Sequence, residues 1–188
     1  MYRNLSDDIE RVLLSEEQIK ARVKELAAEI DEYYRDKDGK LVLVCILKGS
    51  VVFMGDLMKT VSIPVDIDFM RVSSYGSGTV TSGNINIKLD LARPDLPDCN
   101  ILIVEDIIDS GKTLSHLTKY LAFKGAKSVR TCTLLDKPDR REVEFTPDYA
   151  GFVIPDEFVV GYGLDFDESY RALPYIGILR PEVYSEEN

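Results

Sequence analysis

The chain has 188 residues, a length that suits one domain over residues 1–188 and leaves little room for two. Its 33 acidic and 23 basic side chains give a net charge of −10, so general nucleic-acid binding is disfavoured. The longest wholly apolar run, 41–47, is far shorter than the ~20 residues that cross a bilayer. Three separated cysteines and an N-terminus without an apolar signal core predict a reduced, cytoplasmic protein with no membrane segment.

The first predicted helix begins at a capping box, Ser15–Gln18, and apolar side chains then recur at helical spacing as far as Ile30. The run Leu41–Leu47 follows without polar alternation, which predicts a strand buried on both faces in a parallel sheet. A turn at Lys48–Ser50 ends this strand, and a short helix is predicted over Val51–Lys59.

Two alternating segments, Val65–Tyr75 and Ile85–Leu91, predict half-exposed strands paired as a long hairpin. The segment between them, Gly76–Gly83, consists mostly of small residues and is longer than an ordinary hairpin tip. We therefore expect a mobile lid there.

The second half of the chain alternates strands and helices. A buried strand is predicted at Asn100–Val104, a helix at Lys112–Lys124, and a further strand at Ser128–Leu135. Two more short strands are predicted at Phe158–Gly161 and Tyr175–Leu179. This order predicts an α/β fold, with a central parallel sheet flanked by helices and an antiparallel flap.

The most informative segment follows the strand at Asn100–Val104. Glu105 and Asp106 come first, and a small-residue turn over Ser110–Thr113 then opens the next helix. Ligands of open parallel sheets bind beyond the carboxyl ends of the strands, where the amide N–H groups and the helix dipole attract anions. Gly111 permits close approach of the backbone, so the turn predicts a phosphate-binding site.

The sequence of this turn allows two other interpretations. The residues Gly111-Lys112-Thr113 resemble the end of a nucleotide-hydrolysing P-loop, but Asp106 stands where that loop needs its first glycine. Alternatively, Asp109 or Ser110 merely caps the helix. The two additional acids at the end of the strand favour the phosphate site over a simple cap.

The segment Val104–Thr113 resembles the phosphoribosyl-pyrophosphate (PRPP) signature of the type I phosphoribosyltransferases, in the form found in the purine enzymes. The resemblance extends from Leu47-Lys48-Gly49 to Arg171. It implies transfer of ribose 5-phosphate from PRPP to hypoxanthine or guanine, which forms IMP or GMP and releases pyrophosphate. It also implies Mg²⁺ as the cofactor and a homo-oligomer, either a dimer or a tetramer.

The resemblance assigns a role to each residue of the signature. It makes Asp109 the general base that accepts a purine-ring proton, and it places Glu105 and Asp106 beside the ribose hydroxyls and near magnesium. The 5-phosphate is held by the residues of the turn, which are Ser110, Gly111, Lys112 and Thr113.

The resemblance also implies a pyrophosphate site made by Lys48, Gly49 and Arg171, where the Leu47–Lys48 peptide can be cis. Read alone, Lys48-Gly49-Ser50 is an ordinary strand-to-helix turn capped by Ser50, and Arg171 is a solvated surface residue. The resemblance further implies that Ser74 and Tyr75 lead into the lid that closes over PRPP.

The purine site implied by the resemblance is selective for 6-oxopurines. Lys137 donates to the 6-oxygen, Phe158 stacks on the ring, and the main chain of Val159 and Asp165 meets the 2-position. The resemblance also implies that the Asp165 side chain contacts magnesium. Without the resemblance, Phe158-Val159 would be interpreted as an ordinary core strand.

Two rival functions remain open at this point. One is a PRPP-sensing regulator with the same fold that binds nucleic acid, since fold alone does not determine activity. The other is a phosphoribosyltransferase for xanthine or a pyrimidine. Lys137 and Phe158 favour an oxopurine, but xanthine differs from hypoxanthine only at the 2-position.

Overall fold

The computed structural model of the protein describes residues 5–74 and 85–185. The strands of these residues are β1 Ile9–Leu14, β2 Lys40–Leu47, β3 Val65–Ser74, β4 Ile85–Leu89, β5 Cys99–Ile108, β6 Ser128–Asp136, β7 Tyr149–Val153, β8 Val159–Val160 and β9 Ile176–Leu179. Their helices are α1 Glu16–Tyr34, α2 Val51–Thr60, α3 Lys112–Phe123 and α4 Pro181–Tyr184.

The first long helix, α1, begins where the sequence predicts. The amide of Gln18 donates to the Ser15 hydroxyl at 3.3 Å, and the Ser15 amide donates to the Gln18 side chain at 2.8 Å. These two bonds form the predicted capping box. Ile19, Leu26 and Ile30 are fully buried, so this face of α1 packs into the core.

The larger sheet has the strand order β4-β3-β2-β5-β6-β7. The pairs from β3 to β7 are parallel, and β4 pairs with β3 in the antiparallel direction. The central strands β2 and β5 are buried on both faces, as the continuous apolar runs predict. The predicted α/β class, with its parallel sheet and antiparallel flap, is confirmed. The carboxyl ends of β2, β5 and β6 lie along one edge of this sheet, which carries the site described below.

A second, antiparallel sheet with the order β1-β9-β8 was only partly predicted. The strands near Phe158 and Tyr175 were expected, but β1 was not. Only the two ends of β1, Ile9 and Leu14, are buried, so its sequence does not alternate as a half-buried strand does. The β1 strand therefore forms because it pairs with β9; its own sequence pattern does not indicate it. One core cluster includes residues of both sheets, such as Leu14 and Leu43.

Strand β5 is longer than the sequence predicts. The prediction ended it at Val104, but it continues to Ile108 because β6 pairs with it as far as Ile108↔Asp136. Glu105 and Asp106 consequently lie within the strand and not in the loop after it. Strand β7 was not predicted either, and it forms by parallel pairing with β6.

Over the ranges 5–74 and 85–185, no helix is both long and apolar enough to cross a membrane. The single domain expected over residues 1–188 stays a prediction.

Candidate functional site

The predicted phosphate-binding turn, Ser110–Thr113, leads from β5 into α3. Gly111 is the N-cap residue of α3 and has a φ of +78°, a left-handed conformation that favours glycine. The first amides of an α-helix have no partners within the helix, so those of α3 are available to an anion. The Ser110 hydroxyl accepts from the Lys112 amide at 3.4 Å, which is too long for an effective cap. The turn is therefore suited to binding an anion, because the Ser110 side chain does not cap the helix amides effectively.

A segment that the sequence analysis did not single out braces this turn. Arg141 donates to the Asp109 carbonyl and to the Asp136 carboxylate, and the Glu142 amide donates to the Ser110 carbonyl at 3.0 Å. A Cβ atom on Gly111 would lie 2.9 Å from Cδ of Arg141. Arg141 thus holds this loop in place by binding its main chain.

The acidic pair Glu105 and Asp106 lies beside the turn. Burial raises the pKa of both carboxyl groups, and for Glu105 the neighbouring Asp106 charge raises it further. The Ile107 amide donates to Asp106 at 2.8 Å and favours its charged form. Two interacting carboxylates, of which Asp106 is buried and Glu105 is half-buried, favour a bound cation or a developing positive charge.

These groups share one cavity of about 490 Å³. Its walls come from the ends of β2 and β3 and from the β5–α3 connection, with the residues Ile46, Leu47, Val72, Ser73, Glu105, Asp106, Ile107, Ile108, Asp109, Ser110, Gly111, Thr113 and Leu114. The cavity therefore brings the acidic pair and the predicted phosphate-binding turn together on one wall.

The Lys48-Gly49 turn after β2 packs directly against the acidic pair. The Leu47–Lys48 peptide bond is cis, as the resemblance implies. A Cβ atom on Gly49 would lie 1.6 Å from Oδ2 of Asp106, so glycine is required for this contact. Ser50 occupies the N-cap position of α2, as the interpretation of an ordinary strand-to-helix turn expects, but its hydroxyl donates to the Ile46 carbonyl and makes no capping bond to the helix.

Lys48 and Arg171 are brought together by a carboxylate that the sequence analysis missed. Lys48 Nζ lies 2.8 and 2.9 Å from the two Glu168 oxygens, and Arg171 lies 3.3 Å from Oε2 of the same residue. Arg171 also pairs with Asp165 at 2.9 Å and donates to the Gly163 carbonyl at 2.7 Å. Lys48 and Arg171, the two cationic residues predicted to bind pyrophosphate, thus both bind the Glu168 carboxylate in this structure.

Three of the four predicted purine residues, Lys137, Phe158 and Val159, line a second cavity of about 410 Å³. Its residues are Ile107, Asp109, Lys137, Arg140, Asp156, Glu157, Phe158, Val159, Leu164 and Tyr184. Lys137 is only 8% exposed and donates to the Glu157 carbonyl at 2.7 Å, which holds its ammonium at the cavity wall. Phe158 is 39% exposed and so presents ring surface to a ligand.

Asp109 and Ile107 line both cavities. The exposed Asp109 side chain therefore lies where a sugar phosphate in one cavity would meet a planar base in the other. Asp165 does not line either cavity and is engaged by Arg171.

The acidic side chains of the site are its potential metal ligands. In the described parts of the chain, no three His, Cys, Asp or Glu side chains are grouped to hold an ion, so Glu105, Asp106 and Asp165 do not form one cluster. Magnesium is commonly bound by one or two carboxylates together with substrate phosphates. The Glu105–Asp106 pair next to the phosphate turn fits that mode.

The lid prediction falls at the limit of the described residues. Ser74 is the last residue of β3, whereas Tyr75 and the tip Gly76–Gly83 lie outside the described residues. The predicted lid stays a prediction.

A parallel sheet with a phosphate turn, an acidic pair and an adjoining base-sized cavity at its carboxyl edge defines a sugar-phosphate-binding α/β protein. A family model described as the phosphoribosyl transferase domain matches residues 12–167. This chain therefore belongs to the phosphoribosyl transferase domain family.

Similar proteins agree with this family. The chain is 49% identical over 180 residues to the hypoxanthine-guanine phosphoribosyltransferase of Bacillus subtilis, covering 96% of this chain and 98% of that protein. It is 50% identical over 183 residues to the bifunctional protein TilS/HprT of Listeria monocytogenes, covering 97% of this chain but only 28% of that protein. A crystal structure of a hypoxanthine phosphoribosyltransferase from Staphylococcus aureus has a TM-score of 0.90 and 47% identity, with 98% of each chain covered.

Proposed function

We propose that this protein is a hypoxanthine-guanine phosphoribosyltransferase of purine salvage. In this reaction a purine ring nitrogen forms a bond to the anomeric carbon of PRPP, and the bond from that carbon to pyrophosphate breaks. The proton of the purine nitrogen passes to Asp109, and the products are IMP or GMP and pyrophosphate. The names of the relatives and the family signature support this choice of substrates.

The observation that carries the proposal is the position of Asp109 on the wall of both cavities. A general base must lie within hydrogen-bond reach of the proton that it accepts. A purine in the cavity of Lys137 and a ribose 5-phosphate on the Ser110–Thr113 turn would meet next to this carboxylate.

The remaining site residues are proposed to bind and orient the substrates. The amides of Ser110–Thr113 hold the 5-phosphate, and Lys48, Gly49 and Arg171 hold the pyrophosphate. Glu105 and Asp106 bind the ribose hydroxyls and stabilise positive charge that develops at the anomeric carbon. Bound Mg²⁺, held by this pair and the PRPP phosphates, would neutralise the negative charge of the leaving group.

The base selectivity is proposed to rest on Lys137. Its ammonium has three donors, of which one is used by the Glu157 carbonyl, so a donor remains for the 6-oxygen of a purine. Adenine presents an amino donor at the same position, so this remaining donor of the buried lysine would have no acceptor on the base. Phe158 would stack on the ring and Val159 would meet its 2-position, whereas Asp165, which the resemblance also assigns to the 2-position, lies outside this cavity.

A change of Lys137 to Met tests this role. We expect the KM for hypoxanthine to rise about tenfold or more, because a hydrogen bond to a charged donor is lost, while the KM for PRPP stays within twofold. Steady-state kinetics with each substrate varied in turn measure both constants. Lys127→Met, which removes a lysine paired with the exposed Asp38, is the matched control. An unchanged hypoxanthine KM would contradict the assignment.

The proposed activity itself is tested by pyrophosphate release from PRPP and magnesium with five bases. We expect release with hypoxanthine and guanine and none with adenine or uracil. Faster release with xanthine would instead favour a xanthine enzyme. No release with any base, together with measurable PRPP binding, would favour the PRPP-sensing regulator.

Glu168 is expected to compete with the PRPP pyrophosphate for the same cations. Its hydrogen bonds to Lys48 and Arg171 lower the pKa of the carboxyl group, so it is charged at neutral pH. We expect Glu168→Gln to lower the KM for PRPP about two- to fivefold, since the pair to be displaced is an exposed one. Asp38→Asn removes another exposed ion pair, with Lys127, and serves as the control. A higher KM for PRPP would instead mean that Glu168 holds the cations in place.

We also propose a cytoplasmic location and a homodimer or homotetramer. The location is supported by cysteines, Cys45, Cys99 and Cys132, which are buried and free, as is usual in reducing compartments. Light scattering of the purified protein would measure the assembly.

A further inference from the structure

We infer that Tyr184 is a positioning residue of the purine site, which fixes the plane of the Phe158 ring on which the base stacks. This inference rests on the proposed function, since it assigns a role toward the purine. Tyr184 was not singled out by the sequence, and its position became apparent only from the folded chain.

The first observation is the contact between the two rings. The Tyr184 and Phe158 rings are stacked, with centroids 4.9 Å apart and an interplanar angle of 19°. Phe166 meets the Phe158 ring edge-on at 5.6 Å. Both arrangements are favourable for aromatic pairs. Together they restrict the Phe158 ring, which would otherwise be free to rotate on its half-exposed side.

The second observation is that Tyr184 itself lines the purine cavity, together with Lys137 and Val159. A centroid separation of 4.9 Å is that of two rings stacked directly on each other, so no room is left for a base between them. Tyr184 therefore acts by holding Phe158 rather than by forming the second side of a sandwich around the base.

The third observation is that the short helix carrying Tyr184 is anchored at its start. The Arg180 amide donates to the Asp8 carbonyl at 2.9 Å, and the Leu179 amide donates to the Phe158 carbonyl at 2.9 Å. Val183 and Tyr184 pack against the cluster formed by Ile9, Val160, Tyr170 and Leu179. These contacts tie the position of Tyr184 to Phe158, which directly precedes β8.

The test compares Tyr184→Leu, which keeps apolar volume but removes the ring, with Tyr184→Phe, which keeps the ring. We expect Tyr184→Leu to raise the KM for hypoxanthine about three- to tenfold, from the loss of an aromatic pair, with the KM for PRPP within 1.5-fold. Tyr184→Phe should keep the KM for hypoxanthine at the wild-type value. Phe123→Leu, at a ring that is 91% exposed on α3, is the matched control and should change neither constant.

A double-mutant cycle separates positioning from a general structural role. If Tyr184 acts through Phe158, Tyr184→Leu should have no further effect on hypoxanthine KM in a Phe158→Leu background. Calorimetric IMP binding repeats the comparison without turnover and remains measurable for a slow variant. An unchanged hypoxanthine KM, an equal rise in both KM values, or additive effects in the cycle would each overturn the inference. A wild-type protein without turnover or IMP binding would overturn the proposed function instead, and the inference with it.

Discussion

Asp109→Asn is expected to lower kcat for IMP formation about 10²- to 10⁴-fold, the usual contribution of a general base. Asparagine keeps the size and shape of the side chain but is not basic. The Asp109 side chain is exposed, and the bond that Arg141 makes there is to the main-chain carbonyl, which the substitution leaves in place. The fold and the phosphate turn should therefore survive, and the KM for PRPP should change less than threefold.

Single-turnover pyrophosphate release measures the loss of reaction rate, and thermal unfolding measures whether the fold survives. Asp36→Asn provides the control, because Asp36 is also exposed but follows α1 at a distance from both cavities. A variant with full turnover would show that another group accepts the proton. A variant with a greatly reduced melting temperature would show that Asp109 is structural.

The elements predicted well are those whose sequence carries its own periodic or apolar signal. The central strand β2 and the helix α1 are buried in a continuous or periodic pattern, so their sequences alone indicate them. The strands β1 and β7 have no such pattern and depend on their partners β9 and β6. The end of β5 is likewise set by its pairing with β6, which composition cannot indicate.

The site residues likewise divide into those indicated by a local sequence segment and those that depend on contacts between distant segments. The phosphate turn and its acids are contiguous in sequence, so one segment predicted them together. The bond from Lys48 to Glu168 joins residues 120 positions apart, and the Arg141 brace reaches 32 positions back to Asp109. Such contacts depend on the packed fold. A weak signal existed for Glu168, which lies between the predicted site residues Asp165 and Arg171.

Gly163 packs against the Gly49 loop, and a substitution at this contact is expected to reduce both stability and PRPP binding. Gly163 has a φ of +100°, and a Cβ atom there would lie 2.0 Å from the Gly49 carbonyl oxygen. Gly163 also accepts a bond from the Arg171 guanidinium at 2.7 Å, so it links the two halves of the proposed pyrophosphate site. Because the clash is with main chain, no side-chain rotation relieves it.

We therefore expect Gly163→Ala to lower the free energy of unfolding by about 2–4 kcal/mol, from left-handed strain and overpacking. The KM for PRPP should rise at least tenfold, because the Gly49 loop and Arg171 separate. Urea unfolding and PRPP kinetics measure the two effects. Gly55→Ala is the matched control: Gly55 lies inside α2 with open space at its Cβ position, so alanine should stabilise by about 0.5–1 kcal/mol. A Gly163→Ala protein as stable and as active as wild type would mean that the two loops are not rigidly packed, and that Arg171 is positioned without Gly49.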